Sequence, residues 1–155
     1  MFRPTTSLLL LLLLPSFLRA QDVPATKDPA FAALEGRISQ FFEDVSSGQT
    51  QNAFQSLLTG SPLAKQTEAL KTLIEKTKEL QTKYGQYRAF EQIGARRVGS
   101  DLVLMKYLYK CQQAPVVWYF AFYRSAGVGD PPSEKDNWRV ITVRFDTDLE
   151  SLDRN

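Results

Sequence analysis

The sequence predicts an α+β domain in which three N-terminal helices pack on a curved four-stranded antiparallel sheet. Three observations carry that expectation. The span from Tyr87 to Asp146 holds four successive runs rich in aromatic and β-branched residues, each set off by turn residues. Ahead of it, apolar residues recur at helical spacing in three segments, two of which open on a cap residue followed by proline. Beyond its leading apolar segment, the chain has the size of one ordinary domain with a core of its own.

Residues 1–20 read as a secretory signal: Arg3 supplies positive charge, Leu8 to Leu14 form an unbroken apolar run, and Ala20 is a small residue before a cut. A membrane anchor is the competing reading, but the run falls short of the roughly 20 apolar residues that a spanning helix requires. No cysteine follows the run to carry a lipid. The mature chain, beginning near Gln21, is therefore expected to be secreted or periplasmic, with no membrane attachment after cleavage. Leaving out Arg3 and Arg19, the basic residues equal the 17 acidic ones in number, all of which lie beyond residue 20. Net charge thus offers no support for binding nucleic acid or an anionic membrane. Cys111 is the single cysteine, so no internal disulfide forms. It reads as a small apolar filler at a strand end, with a reactive thiol as the alternative.

Residues 21–28 form a leader without periodicity. Asp28-Pro29 places a cap before a first-turn proline, and Phe31, Leu34, Ile38, Phe41, Phe42 and Val45 fall on one stripe of a helix over residues 29–45. Ser46-Ser47-Gly48 ends it. Ala53, Phe54, Leu57 and Leu58 predict a short second helix over residues 51–58, stopped by Thr59-Gly60. Ser61-Pro62 repeats the start signal for the third and longest helix, which runs to Tyr84 with Leu63, Leu70, Leu73, Ile74, Thr77 and Leu80 on one side. Its other side carries Lys65, Glu68, Lys71, Glu75, Lys76, Lys78 and Glu79, spaced for pairing as a solvated face; a charged docking face is the sharper alternative. Gly85 closes the helix.

The strands are expected over residues 88–98, 102–111, 116–124 and 138–146. With two turn residues in the first hairpin, either Gly99-Ser100 or Ser100-Asp101, side-chain alternation puts Phe90, Gln92, Gly94, Arg96 and Val98 on one face with Val103, Met105, Tyr107 and Tyr109. An even connection over residues 112–115 adds Trp118, Phe120 and Phe122 to that face. The opposite face then holds Glu91, Ile93, Ala95 and Arg97 with Leu102, Leu104, Lys106, Leu108 and Lys110, joined by Val117, Tyr119, Ala121 and Tyr123. The third strand is apolar on both sides and reads as central; the first mixes Glu, Gln and Arg and reads as an edge. Residues 126–136, with Gly127, Gly129, Pro131 and Pro132, form the longest loop. Gly127-Val128-Gly129 lacks the further glycine and the strand-turn-helix setting of a phosphate cradle. A single domain is thus expected over residues 29–150, with a tail over 151–155.

Three helices before a four-stranded meander, with Tyr-Arg-Ala-Phe-Glu in the first strand, Val-Val-Trp-Tyr-Phe-Ala-Phe-Tyr in the third and Asn-Trp-Arg-Val-Ile-Thr-Val-Arg-Phe-Asp in the fourth, resemble the nuclear transport factor 2-like, or cystatin-like, superfamily, and in particular its small exported bacterial members of unassigned role. The resemblance implies a sheet wrapped into a cone around the long helix, with a cavity at the open end. Relatives use that cavity for isomerisation, dehydration, epoxide hydrolysis or protein binding, and fold does not choose among these.

Catalysis of that kind needs a base of tuned pKa beside a donor. The chain contains no histidine, and Glu91 is the acid well inside a strand, on the face opposite Tyr107. A zinc or iron site has no histidine and a single cysteine to draw on, and a serine nucleophile lacks its base. Arg96 and Arg97 read as solvated edge charges, with an anion site as the alternative. No cofactor is therefore expected. The sequence points to a non-enzymatic exported domain that binds an apolar small molecule or a protein segment in or at the rim of the cone. Met105, Tyr107, Tyr109, Trp118, Phe120 and Phe122 would line the pocket, unless they pack on the helices instead. Two alternatives stay open: a cofactor-free isomerase, dehydratase or hydrolase, and a homodimer formed through Leu104, Leu108, Tyr119 and Tyr123 on the outer sheet face.

Overall fold

The computed structural model describes residues 29–125 and 138–149. The expected signal, leader, Asp28 cap, long loop and tail lie outside the described residues. Helix α1 (Pro29–Ser46) is followed by α2 (Thr50–Leu57), a 3-10 turn (Pro62–Lys65), α3 (Thr67–Lys78) and α4 (Leu80–Tyr84). Four strands come next: β1 (Tyr87–Val98), β2 (Leu102–Cys111), β3 (Pro115–Arg124) and β4 (Trp138–Asp146). They form one open antiparallel sheet in sequence order, so β2 and β3 are central while β1 and β4 are edges.

The α1 stripe is buried in full, from Phe31 through Val45, because each of its six apolar residues comes round to the sheet side. Phe41 and Phe42 are its keystones. The Phe41 ring lies 5.3 Å from Trp118 and 5.8 Å from Phe120, and Phe42 sits 5.1 to 5.8 Å from Phe90, Tyr107, Tyr109, Trp118 and Phe120. Arg37, on the same helix, donates from one terminal nitrogen to the Trp138 carbonyl at 2.7 Å and from the other to the Leu57 carbonyl at 2.9 Å. The second acceptor belongs to the last turn of α2, where unpaired carbonyls and the helix dipole favour a cation. One guanidinium therefore ties α1 to α2 and to β4, and burial lowers its pKa.

The third helix departs from the expected single rod. Pro62 starts only a 3-10 turn, in which the Ser61 hydroxyl accepts from the Leu63 amide at 3.1 Å and donates to the Val140 carbonyl on β4 at 2.5 Å. Gln66, at φ −89° and ψ 67°, then breaks the spiral before α3 begins. Glu79 separates α3 from α4 yet keeps helical angles, so that boundary is slight. Consequently α1, with 18 residues, is the longest helix among the described residues. Gly85 ends α4 at φ +82° and ψ 179°, a region open essentially to glycine, and an added Cβ would stand 3.0 Å from the Gln112 Cβ.

The β1–β2 register corrects the expected alternation. Val98 pairs with Leu102, leaving three loop residues rather than two, and Gly99 opens that loop at φ +63°. The extra residue inverts the pairing, so Arg97 faces Val103, Ala95 faces Met105 and Arg96 faces Leu104. A bulge at Ile93 then inverts it back, and Gln92 with Phe90 meets Tyr107 and Tyr109 as expected. Gly94, Arg96 and Val98 thus belong to the outer face, and Ala95 and Arg97 to the helix side. Farther across the sheet the expected alternation holds, with Met105 opposite Phe120 and Tyr107 opposite Trp118.

Candidate binding grooves

Met105, Tyr107, Tyr109, Trp118, Phe120 and Phe122 share the helix-facing side of β2 and β3, and none is more than 3% exposed. They fill the space between sheet and helices, ring against ring, with Phe41 and Phe42 as the opposing layer. Within this layer the Tyr109 hydroxyl, Trp118 Nε1 and Gln92 Nε2 are buried without a hydrogen-bond partner at good geometry. Burial drives the phenols of Tyr107 and Tyr109 well above the ordinary tyrosine range; Glu35 adds to the shift at Tyr107, and a nearby Gln81 slightly offsets it at Tyr109.

An open groove of about 370 Å³ lies where the helices meet β4. Leu58, Leu63, Leu70, Leu73 and Val143 line it with Ala69, Thr72 and Gln66, and Lys76 is its one charged member among the described residues. It exists because the 3-10 turn sets Leu63 back from the start of α3, leaving Leu63, Leu70 and Leu73 half-buried where Ile74 and Leu80 are covered. Helical spacing puts these leucines on one side with Ile74 and Leu80, but periodicity reports which side a residue faces and not whether a neighbour reaches it.

On the far side of the sheet a larger groove, of about 620 Å³, runs across all four strands over Leu104, Tyr119 and Ala121. Its cross-strand row is Gly94, Lys106, Tyr119 and Arg144. The Lys106 ammonium sits 5.4 Å and the Arg144 guanidinium 4.1 Å from the Tyr119 ring centre, within cation–π range. Arg96 borders the same groove, and among the described residues none in its lining is acidic. Around it, Leu108 is half-buried while Ile93, Val98, Tyr123 and Ile141 are exposed. Lys106 and Arg144 stand far apart in sequence on non-adjacent strands, and only the register unites them.

Glu91 is exposed on this outer face and pairs with Lys110, away from the buried Tyr107. Arg96 and Arg97 are separated by the sheet itself: Arg97 lies 5.6 Å from the Trp138 ring, which also carries Arg124 at 5.5 Å. Arg124 in turn grips Asp101 at 2.9 and 3.0 Å, and Asp101, held also by the Ser100 hydroxyl and then by Arg124, has its carboxyl below the ordinary range. Cys111 is buried and burial pushes its thiol pKa up. On the charged face of α3 and α4, Lys78 pairs with Glu75 at 2.9 Å and Lys83 with Glu79 at 2.6 Å, all exposed to water. Among the described residues no three His, Cys, Asp or Glu side chains gather as metal ligands, and no helix is long and apolar enough to cross a membrane. No family model, no curated protein and no solved structure matches this chain.

Proposed function

We propose that the protein is an exported, non-enzymatic binding domain that takes an apolar small molecule with an acidic end into the groove between α3 and β4. The observation that carries this reading is the lining of that groove, four leucines and a valine with one ammonium among the described residues, Lys76, beside them. Its volume falls in the range of small-ligand sites, and its floor gains from contact with hydrocarbon in place of water. In the same reading the sheet curves around the helices into the cone of the nuclear transport factor 2-like superfamily, and the groove is the rim of that cone. Helices preceding a meander with a central β3 support this. Support for a non-enzymatic role comes from the titratable groups: Glu91 is engaged by Lys110 on the outer face, and among the described residues no hydrogen bond joins a carboxylate to the Tyr107 or Tyr109 hydroxyl.

Titration calorimetry with dodecanoate tests the proposal. Leu70→Asp and Leu73→Asp are expected to abolish binding, because each places a carboxylate on the apolar floor. Lys76→Glu is expected to weaken dodecanoate while leaving dodecanol unchanged. Equal affinity in the parent and both leucine variants would overturn the reading.

A further inference from the structure

We propose that the outer face of the sheet is a docking groove for an acidic, extended segment of a partner protein. Among the described residues, three cations, Arg96, Lys106 and Arg144, border one groove whose lining holds no acidic residue, and none of the three is in an ion pair. Among the described residues the other acids of that face are outside the lining: Glu91 is taken by Lys110, and Asp146, two residues past Arg144 on the same face of β4, is opposite Val117. Clustered cations of this kind repel one another, and a ligand that brings carboxylates relieves the repulsion.

Geometry selects the ligand's shape. Lys106 and Arg144 sit on strands two apart with Tyr119 between them, so about 10 Å separates their backbones, from the usual strand spacing. Both side chains lean toward the Tyr119 ring, which shortens the distance between their charges. An extended segment carries side chains on one face about 7 Å apart, so acidic residues at alternate positions present one carboxylate to each cation. The apolar floor of Leu104 and Ala121 then accepts the aliphatic parts between them. Gly94 completes the row without a side chain and leaves the β1 end of the groove open.

A second copy of this chain fits less well, since a two-fold contact across this face sets Lys106 and Arg144 against their own copies. A lipid surface fits less well too, because Lys106 is half-buried beside the floor and a flat anionic surface meets the groove's rims first.

The test measures fluorescence anisotropy of a short labelled peptide of alternating glutamate and valine, titrated with the protein at low and high salt. Salt-sensitive binding is expected, with Kd raised at least ~10-fold by Lys106→Glu and by Arg144→Glu, as expected for loss of close charge pairs. Lys71→Glu, on the exposed face of α3, is expected to leave Kd unchanged, and a lysine–valine peptide to show no binding. Circular dichroism of the same variants checks that they are folded, their dodecanoate binding separates this proposal from the one above, and Lys106→Gln replaces any reversal that fails to fold. Equal loss in Lys71→Glu and Lys106→Glu would reduce the effect to general charge and overturn the groove. Binding to phosphatidylglycerol vesicles but not to the peptide would make the partner a lipid, and self-association abolished by Lys106→Glu would make it a second copy; either result overturns the proposal.

Discussion

Arg37 holds three elements together with a side chain that has no carboxylate among its hydrogen-bond acceptors. Its two acceptors are backbone carbonyls on β4 and at the end of α2, so removing the guanidinium leaves both short of a donor. Arg37→Ala is expected to lower stability by about 2 to 3 kcal/mol in urea titration, and Arg37→Lys to recover only part, because an ammonium cannot hold both carbonyls in one plane. Tyr109 presents the opposite case. Its hydroxyl is buried with Gln81 nearby but no partner at good hydrogen-bond geometry among the described residues, so Tyr109→Phe is expected to be neutral or to stabilise by up to about 1 kcal/mol at neutral pH. The sign of its pH dependence follows from the raised pKa: the folded state keeps the phenol protonated where the unfolded chain would ionise. Tyr109 therefore favours folding fully below the ordinary tyrosine value of 10.0 and loses that contribution as pH climbs above it. Alkaline unfolding followed by circular dichroism should set in at higher pH for Tyr109→Phe than for the parent.

Among elements, the β1–β2 hairpin is one whose sequence misleads about facing. Its three-residue loop and the bulge at Ile93 are each a one-residue slip, and together they cancel. Deleting Ser100 alone, or Ile93 alone, should force part of β1 to turn its inner residues outward and should destabilise markedly in thermal unfolding. Deleting both should cost less than the sum of the two, with a coupling of about 1 to 3 kcal/mol, since the compensating slips disappear together. Additive losses would mean that the bulge has a role besides register. Helix α3 makes a milder point: its charged face pairs within itself and is wet, so neutralising Lys78 or Glu75 is expected to change little.

At the scale of the molecule, the sheet has one dry side and one wet side. Phe120 lies on the dry side, 2% exposed, against Phe41 and Phe42, whereas Tyr119, beside it in sequence, faces outward and is half-buried. Phe120→Ala should cost about 3 to 5 kcal/mol through lost burial and the cavity left behind. That is a large share of the roughly 5 to 15 kcal/mol that holds a domain of this size together. Tyr119→Ala should cost clearly less, though the flanking Lys106 and Arg144 lose their ring. Thermal unfolding of both variants beside the parent, with light scattering to establish the assembly state, makes the comparison; equal losses in a monomer would contradict the two-sided character of the sheet.

What the sequence determined by itself is local. Phe31 to Val45 announce their helix through a repeat that any straight α-helix imposes, and Gly48, Gly60 and Gly85 mark chain reversals because few other residues tolerate those angles. The ends of β2 and β4 were likewise legible, since turn residues bound them. The tertiary structure decided whatever depends on how elements meet. Arg37 finds an acceptor 101 residues away, and nothing near it in sequence announces that partner. Leu63, Leu70 and Leu73 stay half-open because the chain breaks at Gln66, a break that helical spacing does not encode. Arg96 joins Lys106 and Arg144 on the outer face only because one added loop residue turned its part of β1 over. Alternation along a strand fixes relative facing within that strand alone; absolute facing comes from register, and register is set by pairing between strands.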